Sequence, residues 1–361
     1  MQVSCGWLGG PHTCIDRVCF ILEIVMLDRR EFIAAIGVSG LALNAIAGER
    51  IVKPERVRPG DKVGLVNPAT AAFDTQTIEI MVEALESLGL QVELGQHYYA
   101  RHGYFAGDDA ARASDINQFF RRSDIRMIIA RGGWGSARLL PLLDYAAIEA
   151  NPKVLLGYSD TTALLNGVHA RTGLVTFHGP SPLDRFSADY FQRIIMDGKA
   201  VTMSNIVEVD DDQIVQTEHR LRTIAGGKAS GHILGGNLTV LTAIMGSDYL
   251  PDFDGCILFL EDVNEAVYRI DRMLTQLSLA GILGKINGFI FGRCTECGSG
   301  NSFVSLTLEQ VLREHIEPLG VPAFSGSMIG HIDQQFTIPL GVDVEIDAGA
   351  GTIRMLESGV I

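Results

Sequence analysis

From Val57 onward, two rhythms of apolar residues alternate along the chain. Short unbroken apolar runs end in Gly, Asn or Pro, and longer stretches repeat apolar residues every three or four positions. The first kind reads as buried strand and the second as one-sided helix. Lys62–Val66 is such a strand, stopped by Asn67-Pro68. A helix with Ile78, Val82, Leu85 and Leu88 on one face follows, closed by Gly89, and Leu90–Leu94 resumes as strand. Ile125–Ala130 is the next strand, and it runs into Arg131-Gly132-Gly133-Trp134-Gly135. Leu139–Ile148 is predicted as helix, Lys153–Leu156 as strand, Thr161–Arg171 as helix and Val175–Phe177 as strand.

Continuous apolar strands separated by helices predict a parallel sheet covered on both faces. The predicted class is therefore α/β, with a Rossmann-like parallel-sheet domain over 48–205. Residues 184–228 are more polar and carry Asp210-Asp211-Asp212, so 206–230 reads as a connecting segment. Beyond it come Gly235-Gly236-Asn237-Leu238, a strand Cys256–Leu260, and a helix through Ile270, Met273, Leu274 and Leu277. A strand Ile286–Phe291 and short strands with Gly turns past Val321 complete a smaller, β-rich mixed domain over 231–361. Parallel sheets place their sites at the carboxyl ends of strands, which directs attention to the residue just after each one.

The first 47 residues stand apart. Arg29-Arg30 precedes a run without charge from Phe32 to Ala47 that ends in Ala45-Ile46-Ala47. Basic, then apolar, then small-x-small is the order of an export signal, here of the twin-arginine kind, with cleavage expected before Gly48. Met26 is a natural start for that leader, so 1–25 is expected to come from a misassigned upstream start. The run is short and rich in Gly and Ser for a membrane span, so no stable membrane insertion is expected after cleavage. Periplasmic location follows, with a cytoplasmic one as the alternative.

Composition narrows the partners. The 361 residues hold 29 basic against 43 acidic side chains, a net charge of −14, which argues against nucleic acid. Cys5, Cys14 and Cys19 leave with the leader. Of the remaining three, Cys294 and Cys297 form a lone C-x-x-C, open to reading as a metal half-site, a redox pair or a disulfide, with no catalytic role expected.

Candidate chemistry gathers after the strands. Gly157-Tyr158-Ser159-Asp160-Thr161 lies at a strand-to-helix junction, where a serine hydroxyl is exposed and helix N–H groups can hold an oxyanion. Thr161 stands where a G-x-S-x-G elbow would have its second Gly, and Ser159 or Asp160 acting only as a helix cap is the competing reading. A base is available in His178 or His331. Glu261 ends a very apolar strand, where a carboxylate needs a partner, either a histidine or Arg269 or Arg272. The order Ser159, Glu261, His331 is the nucleophile–acid–base order of another hydrolase fold. The turn Arg131–Gly135 has neither a dinucleotide-type glycine spacing nor a phosphate-loop lysine, and is free to supply an oxyanion N–H.

Taken together, these segments resemble the LD-carboxypeptidase family, serine peptidases that include muramoyltetrapeptide carboxypeptidases and microcin C immunity hydrolases. The resemblance rests on Arg131-Gly-Gly-Trp-Gly-Ser with Arg138-Leu-Leu-Pro, Gly157-Tyr-Ser-Asp-Thr-Thr-Ala-Leu, and His178-Gly-Pro. Gly235-Gly-Asn-Leu, Leu260-Glu-Asp-Val-Asn-Glu, Gly330-His and Ile338-Pro-Leu-Gly continue it, in the family's order, over about residues 57 to 355. It implies Ser159 as nucleophile, His331 as general base and Glu261 as the group that orients it. Backbone N–H groups of Asp160 and Gly133 would be the oxyanion donors. It implies no metal or other cofactor, a homodimer, and a murein-derived peptide as substrate, cut at the L,D bond to its terminal D-alanine. A microcin C immunity-type hydrolase of aminoacyl-nucleotide amides is the alternative, and a non-catalytic wall-peptide binder is a third.

Overall fold

A computed structural model describes residues 51–207, 213–300 and 304–361; the expected leader 1–47 and the acidic run Asp210–Asp212 lie outside the described residues. Residues Glu49–Ile361 form one compact unit built around two sheets. In chain order the strands are β1 (Lys62–Val66), β2 (Gln91–Leu94), β3 (Ile125–Ala130), β4 (Val154–Gly157), β5 (Thr176–His178), β6 (Thr202–Met203) and β7 (Arg222–Ala225). They continue as β8 (Lys228–Asn237), β9 (Ile257–Val263), β10 (Gly288–Thr295), β11 (Ala323–Ser325), β12 (Ile338–Leu340), β13 (Asp343–Asp347) and β14 (Thr352–Met355).

The first sheet has the order β12-β5-β4-β3-β1-β2. Its strands run parallel except β12, which pairs antiparallel with β5 at the edge. Every residue of β4, and all but one of β1 and of β3, is buried, as a sheet sandwiched between helices requires. Asp74 and Asp108 cap the helices Thr75–Ser87 and Asp109–Arg121 by accepting N–H groups of their first turns. The expected helix Leu139–Ile148 is instead a 3-10 turn, Ser136–Leu142, and a short helix, Tyr145–Ala150. Pro141 cannot donate to a continuous helix, and Asp144 starts a new one by accepting the Ala147 N–H at 3.0 Å.

The second sheet is mixed, in the order β6-β14-β13-β8-β9-β10-β11-β7. Strands β7 and the start of β8 fall within 206–230, so part of the expected connection is itself sheet. The carboxyl-terminal segment in turn contributes β12 to the first sheet.

The helix Thr162–Thr172 joins the two sheets. Its residues Thr162–His169 are all buried. Asn166 donates to the Gly235 carbonyl at 2.9 Å, and the Asn237 N–H donates to the Thr162 hydroxyl at 2.9 Å. Gly236 has φ +139°, and a Cβ there would meet Thr162 Oγ1 at 2.6 Å, so only glycine fits this approach.

Candidate active site

Ser159 stands one residue past the end of β4, after Tyr158, and has φ +62°, a left-handed conformation that a non-glycine residue adopts at a cost of about 1–3 kcal/mol. The turn is tight because Gly157 has no side chain: a Cβ there would sit 2.9 Å from the Ala130 carbonyl oxygen. Thr161, in the place of the second elbow glycine, closes the turn by donating its hydroxyl to the Tyr158 carbonyl at 2.9 Å. The strain lifts Ser159 out of the sheet to face the second half of the molecule.

Glu261 comes from the middle of β9 and is fully buried. His331 lies in the loop before β12, behind Gly330, where a Cβ would stand 3.0 Å from the Glu261 carboxylate. His331 Nδ1 lies 2.9 Å from Glu261 Oε2, and Nε2 lies 2.9 Å from Ser159 Oγ. A carboxylate only accepts hydrogen bonds, so facing it Nδ1 carries the hydrogen and Nε2 presents its lone pair to the serine O–H. The structure thus brings together three side chains that are 70 and 172 positions apart in the pairs His331–Glu261 and His331–Ser159. The competing partners of Glu261 are engaged elsewhere: Arg269 pairs with Glu265 at 3.3 Å, and Arg272 stacks on Tyr268. The His331 carbonyl accepts the Thr295 hydroxyl at 2.8 Å, and Thr295 lies inside the ring closed by a Cys294–Cys297 disulfide. Of the three readings of C-x-x-C, the structure forms the disulfide.

His178 is nearby but differently placed. It is buried, neither ring nitrogen has a hydrogen-bond partner among the described residues, and its ring packs edge-on against Tyr158 and Phe259. Burial pushes it down to about 4, so the ring is neutral near pH 7. Asp262, next to Glu261, is pushed up to about 6 by burial while accepting bonds from Asn237, Thr239 and Val263.

Asp160 does cap a helix, though not its own. Its carboxylate accepts the N–H groups of Gly135 and Ser136 at 3.0 and 2.8 Å, and the Ser136 hydroxyl donates back to the Asp160 carbonyl at 2.7 Å. These bonds tie the serine turn to the glycine turn Arg131–Gly135. A Cβ on Gly132 would stand 3.3 Å from Ser159 Cβ, so the glycine turn lies directly beside the serine. Gly133 has φ +142° and fits closely under Thr70.

The serine and His331 open onto a cavity of about 310 Å³, which Tyr98, Arg131, Ser181 and Leu183 also line. Sequence reasoning did not single out the side chains of Tyr98, Arg131 or Thr295. Their signal was positional only: Arg131 opens the glycine turn, and Thr295 sits between the two cysteines.

Two family descriptions match the chain: the LD-carboxypeptidase N-terminal domain over residues 63–179 and the LD-carboxypeptidase C-terminal domain over 230–346. The probable murein peptide carboxypeptidase of Bacillus subtilis (strain 168) is 35% identical over 312 residues, covering 85% of this chain and 95% of that one. Among solved structures, MccF in complex with glutamyl sulfamoyl guanosine superposes with TM-score 0.77 at 28% identity, covering 86% and 99%. A muramoyltetrapeptide carboxypeptidase from Oxalobacter formigenes superposes with TM-score 0.68 at 26% identity, covering 81% and 97%. With both domains matched in order and the strand-end serine facing His331, the chain belongs to the LD-carboxypeptidase family of peptidases.

Proposed function

We propose that this protein is a serine-type LD-carboxypeptidase that removes the terminal D-alanine of murein tetrapeptides. The observation that carries the proposal is the unbroken hydrogen-bonded line from Ser159 Oγ through His331 to Glu261, opening onto a cavity. Ser159 Oγ attacks the carbonyl carbon of the L-configured centre, and its proton passes to His331 Nε2. The oxyanion is held by the N–H groups of Gly133 and Asp160, and the Asp160 carboxylate fixes the spacing of their two turns. His331 returns the proton to the nitrogen of the departing D-alanine as the C–N bond breaks. Water, deprotonated by His331, then cleaves the acyl ester and restores Ser159. Glu261 holds the imidazole in the required tautomer and balances its charge while it is protonated. Neither resident metal nor cofactor takes part in these steps.

Residues 26–47 are proposed to export the folded enzyme to the periplasm, where it meets wall fragments, and the active form is proposed to be a homodimer. The direct test is incubation with a defined L,D-linked tetrapeptide: free D-alanine is expected from the wild type and not from Ser159→Ala. If the wild type liberates none, the reading fails.

A second reading is favoured by the superposition on MccF, a microcin C7 self-immunity protein that is solved with aminoacyl sulfamoyl nucleosides. Cleavage of glutamyl sulfamoyl adenosine in preference to the tetrapeptide would establish it. A folded protein that binds the peptide yet resists a serine-directed fluorophosphonate would instead be the non-catalytic binder.

A further inference from the structure

Arg131 sits at the carboxyl end of β3, half-buried, and is one of the residues lining the cavity shared by Ser159 and His331. Its chain neighbours satisfy their charges on the surface, Arg126 with Glu55 and Arg138 with Asp109. Arg131 forms no ion pair among the described residues. Its one side-chain hydrogen bond among the described residues is from Nη1 to the Thr70 carbonyl at 3.0 Å. Among the cavity's lining residues it is the only permanent charge. A half-buried guanidinium at the wall of a partly enclosed pocket, with no ion-pair partner among the described residues, is an unfavourable arrangement unless an anion arrives.

Tyr98 lines the same cavity, is almost wholly buried, and has a hydroxyl with no hydrogen-bond partner among the described residues. Burial keeps that hydroxyl protonated against the pull of the nearby Arg131 charge, so it remains a donor. The position relative to the chemistry is set by the backbone. Arg131 Cα is one residue, about 3.8 Å, before Gly132, where an added Cβ would stand 3.3 Å from Ser159 Cβ. In a terminal residue, a single carbon separates the scissile nitrogen from the free carboxylate. The anion is therefore delivered within a few ångströms of Ser159, inside the reach of an arginine side chain.

We propose that Arg131, assisted by the Tyr98 hydroxyl, binds the free α-carboxylate of the departing residue and thereby restricts cleavage to the chain end. The forked guanidinium matches the two carboxylate oxygens, which a lysine would not. This proposal rests on Ser159 being the nucleophile, and the experiment separates the two.

Two tetrapeptides are compared, one ending in D-alanine and one in D-alanine amide. Wild type is expected to favour the free acid by about a hundredfold or more in kcat/KM. Arg131→Gln is expected to bring that ratio below about tenfold, chiefly by losing turnover of the acid. Arg131→Lys is expected to fall between, and Tyr98→Phe to raise KM for the acid several-fold. Fluorophosphonate labelling of Ser159 in each variant checks that the site is folded. A wild type indifferent to acid or amide, or an Arg131→Gln protein that is labelled normally and keeps the wild-type ratio, overturns the carboxylate subsite and leaves the serine mechanism standing. Failure of the wild type to label or to cut either peptide overturns the nucleophile, and the subsite with it. Should variants label poorly, binding of acid and amide peptides to Ser159→Ala and to Ser159→Ala/Arg131→Gln decides: equal preference in both proteins overturns the subsite.

Discussion

Two histidines flank the ring of Tyr158, His331 at 5.3 Å between centroids and His178 at 6.4 Å, and the charge of Glu261 acts on His178 as well. One is a quarter or less exposed, bonded at both nitrogens and open to a cavity. The other is buried, with both nitrogens unbonded among the described residues. Residue type and proximity to a carboxylate are therefore insufficient to make a base. A base needs a partner on one nitrogen to fix its tautomer, a reacting group on the other, and enough solvation to carry charge during the reaction.

The comparison breaks most sharply by mutation. His331→Ala is expected to lower kcat by roughly 10⁴, whereas His178→Asn is expected to cost no more than about tenfold. Glu261→Gln is expected to lose about 10³: an amide that donates to Nδ1 moves the hydrogen to Nε2, where it faces the serine in the wrong tautomer. Equal losses at the two histidines, measured as initial D-alanine release, would erase the distinction.

A smaller effect is expected in stability against pH. His178 titrates near 4 folded and near 6.5 unfolded, so below 6.5 only the unfolded chain takes up the proton. Its contribution is whole above pH 6.5 and shrinks as pH falls toward 4. Asp262 has the opposite sign: it is near 6 folded against 3.8 unfolded, so its stabilisation is whole below 3.8 and is lost as pH rises through 6. Between pH 7.5 and 5 the two oppose each other in the wild type. Over that interval His178→Asn is expected to lose roughly 2 kcal/mol less than wild type, and Asp262→Asn roughly 1 kcal/mol more, by urea denaturation. Variant and wild-type slopes that coincide would refute the burial assignments.

The smallest effect concerns how His331 is held. Thr295→Val removes the hydroxyl that bonds the His331 carbonyl and is expected to lower kcat three- to tenfold with KM little changed, while Thr295→Ser restores it. Reduction of the Cys294–Cys297 disulfide is expected to act in the same direction, since Thr295 lies within that ring.

Much of this arrangement was readable along the chain. Continuous apolar runs marked β1, β3 and β4, and a carboxylate at the end of an apolar run marked Glu261, because the cost of burying it unpaired is local information. The rest depends on residues distant in sequence. Asp160 read as a cap for the helix that follows it, but its N–H partners are 24 and 25 positions earlier. Three-residue β12 crosses back to the first sheet with too short a pattern to reveal its partner. The difference between His178 and His331 is one of burial, and both follow apolar segments alike.

The central claim is that Ser159 is a nucleophile activated by His331. Its most direct measurement is intact-protein and peptide mass spectrometry after treatment with a fluorophosphonate. The expected result is a single adduct on Ser159 that forms in wild type and is suppressed in His331→Ala. An adduct on another residue, or labelling of Ser159 at an undiminished rate without His331, would contradict it.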